Sequence, residues 1–283
     1  MITASDNVWQ VAHGRSLKLD GDGLIMAIVN ATPDSFSDGG QFLAADMAVA
    51  HAMACIQEGA HIIDIGGEST RPGADVVSEQ REQDRVLPVI ERLVKETDAL
   101  VSVDTYRAST AKLALEAGAH IVNDVFGLRK DAAMAEVIGK AGAGVCIMHT
   151  GREREKLPDV IEDQFAFLDL SLEIANAAAI ARRSIVLDPG FGFAKDTAEN
   201  VALMSRFEEL HAFGLPILAG TSRKRFVGAL TGQEGAIERD VGTAATTVIL
   251  RLAGAAIFRV HNVAMTRDAL AIADAVLRQK KQK

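Results

Sequence analysis

The chain has 283 residues, of which 48% are hydrophobic and 24% charged, and this composition excludes an intrinsically disordered protein. Its net charge of −8 disfavours broad electrostatic binding to nucleic acid or to an anionic membrane surface. No apolar run reaches the roughly 18 residues that a membrane helix needs, and the first residues do not resemble a secretion signal. We therefore expect a cytoplasmic protein that binds neither nucleic acid nor membranes.

Residues 1–23 precede the first strongly apolar run, and eight such runs follow, each separated from the next by an amphipathic segment. Four runs begin with a Gly-Ala pair, and glycine suits the left-handed residue that follows a helix. The runs are continuous rather than alternating, which is typical of parallel strands covered on both faces. In chain order the prediction is strand 24–30, helix 45–58, strand 59–64, helix 78–96, strand 100–104, helix 107–117, strand 118–123, helix 131–141, strand 142–149, helix 159–181, strand 184–188, helix 197–210, strand 215–221, helix 240–253, strand 254–261 and helix 264–279.

The spacing of these segments favours one α/β architecture. Strand–helix units recur at roughly 33 residues, close to the length of a βα unit. A doubly wound sheet would usually carry a glycine-rich phosphate fingerprint after its first strand, and the residues after Asn30 do not fit that pattern. We predict a (β/α)8 TIM barrel in a single domain over residues 1–283, with residues 1–23, including Trp9, capping the bottom of the barrel.

Each predicted strand ends in a polar or charged residue. The carboxyl ends of all barrel strands meet at one mouth, where the active sites of such barrels lie. Carboxylates that directly follow buried strands need partners, and a ring of carboxylates and amides can hold a flat heterocycle rich in N–H donors. Arginine and lysine at the same mouth suit a phosphate-like anion. The strand-end residues are Asn30, Asp64, Asp104, Asn123, His149, Asp188, Thr221 and Arg259.

Four segments, taken in order, carry a resemblance to a known family. They are Asn-Ala-Thr-Pro-Asp-Ser-Phe-Ser-Asp-Gly-Gly at 30–40, Gly-Gly-Glu-Ser-Thr-Arg-Pro-Gly at 66–73, Asp-Pro-Gly-Phe-Gly-Phe at 188–193 and Ser-Arg-Lys at 222–224. The chain closely resembles the dihydropteroate synthases over nearly its whole length. This resemblance implies condensation of 6-hydroxymethyl-7,8-dihydropterin diphosphate with p-aminobenzoate, Mg2+ as cofactor, and a homodimer.

The resemblance also implies roles for individual residues. The expected catalytic residues are Asp104, Asp188, Lys224 and Arg259. The expected pterin contacts are Asp104, Asn123, Met148, Asp188 and Lys224. The expected diphosphate contacts are Asn30, Arg71, Arg259 and His261, and Asn30 is also the expected metal ligand. The expected p-aminobenzoate contacts are Phe36, Thr70, Arg71, Pro72 and Phe193. Asp64 belongs to the same strand-end ring without a firm role.

One loop departs from the family pattern. Many members read Met-His-Met-Gln-Gly-Thr-Pro after the fifth strand, whereas residues 148–154 read Met-His-Thr-Gly-Arg-Glu-Arg. Because only the Met148-His149 start is kept, the shape of this loop is not predicted.

Two other functions remain open at this point. A methyltetrahydrofolate-type methyltransferase uses a similar barrel and pterin pocket but binds no diphosphate, and a pterin-binding homologue could lack catalysis. The cations at Lys224, Arg259 and His261 favour the synthase, because they suit a diphosphate.

Overall fold

The computed structural model describes residues 8–19, 21–31, 40–68 and 77–281. Eight parallel strands form one sheet. Its order follows the order of the strands in the chain, and the first strand also pairs with the last. A parallel bridge between Leu187 and Ile217 links the two remaining edges, so the sheet closes. The predicted (β/α)8 barrel is therefore confirmed. The strands are β3 (Leu24–Asn30), β4 (Ile62–Gly66), β5 (Leu100–Asp104), β6 (Ile121–Asp124), β7 (Gly144–Met148), β8 (Ile185–Asp188), β9 (Leu218–Ala219) and β10 (Ile257–Val260).

The continuous apolar character of the strands follows from burial on both faces. On β3, Ile25, Ala27 and Val29 belong to the large cluster shared with the surrounding helices. Leu24 and Met26 point the other way and join a second cluster inside the barrel. That inner cluster takes one apolar side chain from each of the other strands: Ile62, Leu100, Ile121, Cys146, Val186, Leu218 and Ile257.

Of the segment before β3, the part at residues 8–19 covers the bottom of the barrel, as predicted. It forms an antiparallel hairpin of β1 (Val8–Gln10) and β2 (Ser16–Lys18). Trp9 is wholly buried in the inner cluster, and its Nε1–H donates to the carbonyl oxygen of Ser184 at 2.9 Å. The indole thus gains apolar burial while its one polar group stays hydrogen-bonded.

The helices and strands follow the predicted order with three differences. The predicted helix 197–210 ends at Ser205 and continues as a 3-10 helix over Phe207–Phe213, while the strand predicted at 215–221 is paired as a strand only at Leu218–Ala219. A helix at Arg225–Thr231 was not predicted, because seven residues are too few to show a helical period. The helices are α1 (Gly40–Glu58), α2 (Glu79–Glu96), α3 (Ala108–Glu116), α4 (Met134–Ala141), α5 (Val160–Ala177), α6 (Thr197–Ser205), α7 (Arg225–Thr231), α8 (Asp240–Leu252) and α9 (Val263–Lys281).

Within the described ranges, no helix combines the length and the apolar character that crossing a membrane requires.

Candidate active site

A cluster of opposite charges lies at the carboxyl ends of the strands. Arg259 on β10 donates from Nε to Asp64 Oδ2 at 2.6 Å and from Nη2 to Asp104 Oδ2. Asn123 on β6 donates from Nδ2 to the same Asp64 oxygen at 3.0 Å. The strand register places these groups together, since Gly66, Asp104 and Asn123 pair at one level of adjacent strands. One arginine therefore compensates two strand-end carboxylates.

Each of these carboxylates keeps one oxygen without a hydrogen bond. Asp64 Oδ1 and Asp104 Oδ1 are buried and have no partner among the residues that the structure describes. A buried acceptor without a donor costs about 1–3 kcal/mol, so such atoms are commonly satisfied by a ligand or by water. The cluster therefore presents acceptors to N–H groups of a bound molecule.

Burial shifts the pKa values of the ionisable groups here towards neutrality. It raises the pKa of Asp104 to about 7, because Arg259 only partly offsets the loss of solvent and Asp64 adds a like charge. It lowers the pKa of Lys224 to about 8 against the opposing effect of Asp188, whose own pKa is raised by burial. Groups that titrate near pH 7 inside a barrel mouth are typical of catalytic sites.

An apolar wall stands beside these charges. Phe193 packs with Met148 and Val125 in a small cluster separate from the two core clusters. The Lys224 ammonium lies 4.1 Å from the centre of the Phe193 ring, and the Arg152 guanidinium carbon lies 4.4 Å from it. Ring faces attract cations, so Phe193 helps to hold both basic groups at this side of the mouth.

The remaining predicted residues fall into two groups. A Cβ atom added to Gly66 would lie 3.9 Å from both Asn30 Oδ1 and Asp104 Oδ2. Asn30 therefore stands beside the charge cluster. His261 Nδ1 lies 2.9 Å from Ser222 Oγ, whose oxygen also accepts the His261 backbone N–H. The second group lies outside the described residues and comprises Phe36, Thr70, Arg71 and Pro72.

Arg223 of the Ser-Arg-Lys segment has a partner that sequence reasoning missed. Its Nε and Nη2 donate to the two carboxylate oxygens of Asp240 on α8 at 2.7 and 2.9 Å. Asn262 donates to the same carboxylate at 3.0 Å. The ion pair fixes the loop that carries Ser222 and Lys224, and nothing in the spacing of Asp240 from Arg223 predicts it.

His149 lies deeper than a rim position. It is wholly buried and contacts Asp163 on α5 and Lys195 in the loop before α6. Sequence reasoning gave neither partner a role. Asp163 lies in the first turn of α5, and Lys195 lies two residues after the segment 188–193. Neither position by itself indicates a contact with His149.

Comparisons with known proteins agree on one family. Residues 26–261 match the model of the family described as pterin binding enzyme. The dihydropteroate synthase of Bacillus subtilis (strain 168) is 46% identical over 90% of this chain and 88% of that protein. The dihydropteroate synthase of Escherichia coli (strain K12) is 41% identical over 96% of this chain and 98% of that protein.

Solved structures give the same result. Xanthomonas albilineans dihydropteroate synthase with 4-aminobenzoic acid has a TM-score of 0.89 and 42% identity, covering 95% of this chain and 98% of that one. The same enzyme in complex with 7,8-dihydropteroate has a TM-score of 0.86 and 41% identity, covering 94% of this chain and 97% of that one. The resemblance seen in the sequence is thus confirmed, and the chain belongs to the pterin binding enzyme family and, within it, to the dihydropteroate synthases.

Proposed function

We propose that this chain is a transferase that condenses 6-hydroxymethyl-7,8-dihydropterin diphosphate with p-aminobenzoate, giving 7,8-dihydropteroate and pyrophosphate. The observation that carries the proposal is the strand-end cluster, in which Arg259 holds Asp64 and Asp104 while one oxygen of each carboxylate has no partner in the described part of the chain. Family relatives in complex with 4-aminobenzoic acid and with 7,8-dihydropteroate support the choice of substrates.

The pterin would bind across the carboxylates and the apolar wall. Its ring carries several N–H donors, which match the acceptor oxygens of Asp104 and Asp188 and the amide of Asn123. Met148 would pack on the ring, and the Lys224 ammonium would donate to a ring acceptor. On Asp64, Arg259 and Asn123 occupy Oδ2, so only Oδ1 would be left to accept a hydrogen bond from the pterin.

The leaving diphosphate would lie over the cations at the other side of the cluster. Cleavage of the bond between the methylene carbon and the diphosphate oxygen leaves positive charge on the pterin, and both charges need stabilisation at once. Asn30, Arg259 and His261 would donate hydrogen bonds to the departing oxygens, while Asp104 and Asp188 stabilise the cationic ring. Fixed charges arranged in this way lower the barrier without reorganising during the reaction.

Mg2+ fits the donor set at this position only as an ion held largely by the substrate. The described residues contain no group of three His, Cys, Asp or Glu that could hold a metal. Asn30 offers one amide oxygen at the end of β3, and Mg2+ commonly combines one or two protein oxygens with phosphate oxygens and water. When bound, the ion would neutralise part of the leaving-group charge.

The p-aminobenzoate site would form against Phe193, with Phe36, Thr70, Arg71 and Pro72 as the further contacts implied by the family. Arg71 would serve the diphosphate as well. The amino group of p-aminobenzoate then attacks the methylene carbon and loses a proton, forming the new carbon–nitrogen bond. Closure of the site against water would protect the cation from hydrolysis before that attack.

Three further predictions remain from the sequence. We propose that residues 1–283 act as one pterin-binding domain. A homodimer through the later helices is supported by exposed apolar side chains on neighbouring elements there, namely Leu230, Ile237 and Val241. The cytoplasmic location is a prediction from composition.

A pyrophosphate-release assay tests the reaction directly. We expect release only when both substrates and Mg2+ are present, with 7,8-dihydropteroate as the second product. Calorimetry then separates the alternatives. A methyltransferase would bind the pterin but show no gain in affinity from its diphosphate, and a non-catalytic homologue would bind both substrates without releasing pyrophosphate.

A further inference from the structure

A row of polar side chains, buried except for the partly exposed Arg154 at its start, joins the loop after β7 to the turn after β8. Arg154 donates to both carboxylate oxygens of Asp163, at 2.8 Å to Oδ1. Asp163 Oδ2 lies 3.0 Å from His149 Nε2, and His149 Nδ1 lies 2.9 Å from the Nζ of Lys195. Lys195 Nζ donates in addition to the carbonyl oxygen of Gly190 at 2.9 Å. The row therefore ends on the turn that carries Asp188.

Three successive carbonyl oxygens of this turn accept hydrogen bonds from residues outside it. The pairs are His149 N with Asp188 O at 2.8 Å, Gln164 Nε2 with Pro189 O at 3.0 Å, and Lys195 Nζ with Gly190 O at 2.9 Å. The Gly190 N–H in turn donates to Asp188 Oδ1 at 2.7 Å. A shift of Gly190 would therefore move the donor that orients the Asp188 carboxylate.

The turn and the loop behind it are in direct contact. A Cβ on Gly190, whose φ is +65°, would lie 1.9 Å from the His149 carbonyl oxygen. Only glycine allows this approach, so a change in the loop after β7 is transmitted to Gly190 without an intervening side chain.

The protonation states follow from burial and from the partners. Burial lowers the pKa of His149 to about 4, so its imidazole is neutral at pH 7. Burial would raise the pKa of Asp163, but hydrogen bonds from His149 and Arg154 outweigh it and hold that pKa well below its usual range. With His149 Nε2–H donating to the Asp163 carboxylate, Nδ1 accepts from Lys195.

We propose that Lys195 is a positioning residue for the pterin: through Gly190 it sets the orientation of Asp188, and the row of Arg154, Asp163 and His149 keeps Lys195 in place. This inference rests on the proposed function, in which Asp188 accepts an N–H of the pterin. Lys195 is buried and its Nζ contacts the Gly190 carbonyl oxygen and His149, so its effect is on geometry.

A double-variant cycle on pterin binding tests this role. Lys195→Met keeps an unbranched side chain that is one atom shorter and removes its donors. We expect it to weaken binding of 6-hydroxymethyl-7,8-dihydropterin, which has no diphosphate, by about tenfold in the otherwise unchanged chain and by less than about twofold in a chain that carries Asp188→Asn. A general loss of packing would weaken binding equally in both backgrounds. Isothermal calorimetry measures each affinity.

Lys156→Met is the matched control, because Lys156 donates to a nearby carbonyl oxygen, that of Ala194, at 2.7 Å. Its pterin affinity should stay within about twofold of the unchanged chain, because its ion-pair partner is the partly exposed Glu199 and not the turn that carries Asp188. If Lys195→Met does not fold, Asp163→Asn enters the same cycle, since it retains the lysine and loosens the row that keeps Lys195 in place.

Equal losses in the two backgrounds, or an unchanged pterin affinity in the folded Lys195→Met chain, would overturn the inference and leave the proposed function intact. An unchanged affinity in Asp188→Asn alone would overturn the assignment of Asp188, and with it the positioning role of Lys195.

Discussion

The two ends of the barrel fill equivalent inward-facing positions in opposite ways. On β5, Leu100 belongs to the inner apolar cluster, and Asp104, four residues further along the same strand face, contacts Arg259. On β8 the apolar side chain of Val186, in the inner cluster, and the carboxylate of Asp188 are only two residues apart. The bottom is closed by Trp9 within the inner apolar cluster, whereas the mouth concentrates charge. Burial therefore serves stability at one end of the barrel and tunes ionisation at the other.

The largest expected effect is on stability at the bottom. Trp9→Ala should lower the free energy of unfolding by about 3–5 kcal/mol, because it removes a wholly buried aromatic side chain and leaves a cavity. Urea unfolding measures this loss. The kcat of the folded fraction should be unchanged, and Trp9→Phe should lose less stability. A kcat that falls tenfold in a fully folded Trp9→Ala chain would show that the two ends are coupled.

The largest expected effect on kcat comes from removing the Arg259 guanidinium at the mouth. Arg259→Met leaves Asp64 and Asp104 without their shared partner and should lower kcat by about 10²–10³-fold, as loss of a preorganised charge does. Steady-state pyrophosphate release measures it.

Arg251→Met is the control for that variant, because Arg251 pairs with the buried Asp274 between α8 and α9. It should lower stability with little change in kcat. Similar kcat losses in the two variants would contradict a special role for the charge cluster.

The next largest expected effect is on the affinity for the pterin. Asp188→Asn replaces a charged acceptor with a neutral amide and should weaken pterin binding by about 1.5–3 kcal/mol, the range for hydrogen bonds to charged groups. Calorimetry with a pterin that has no diphosphate gives the value. Pyrophosphate affinity serves as the internal control and should be unaffected; a loss shared by both ligands would mean that Asp188 maintains the whole mouth.

The smallest expected effect is an acid dependence of stability at the bottom. His120 Nδ1 accepts the Val101 backbone N–H at 3.1 Å, and burial lowers the pKa of His120 to about 4. Because the unfolded chain binds this proton more readily, the contribution of His120 to stability is present above about pH 6.5 and declines by at most about 1.4 kcal/mol per pH unit as the pH falls towards 4.

His120→Asn tests that dependence, because its amide oxygen can accept the same N–H and does not titrate. Urea unfolding at pH 7.5 and pH 5 should show a smaller difference for this variant than for the unchanged chain. The same difference in both chains would assign the acid dependence to other groups.

The ends of the strands were predictable, and the contacts among them were not. Asp64 shows this most clearly. The sequence placed it in the strand-end ring without a role, and the structure places it between Arg259 and Asn123. A side chain that closes an apolar strand can be recognised locally, but its partners come from strands far away in the chain. The helix at Arg225–Thr231 was missed because it is short.

The sequence by itself determined the strand–helix repeat, the apolar strand faces and the set of polar strand ends, because each depends on neighbours within one unit of the repeat. The tertiary structure alone decided which charges share partners. Arg259 reaches Asp64 and Asp104 across the barrel, Arg223 pairs with Asp240, and Lys195 contacts His149 behind the turn that carries Asp188. These pairings depend on closure of the sheet and on the desolvation of each group, and both arise only when all eight strands are in place.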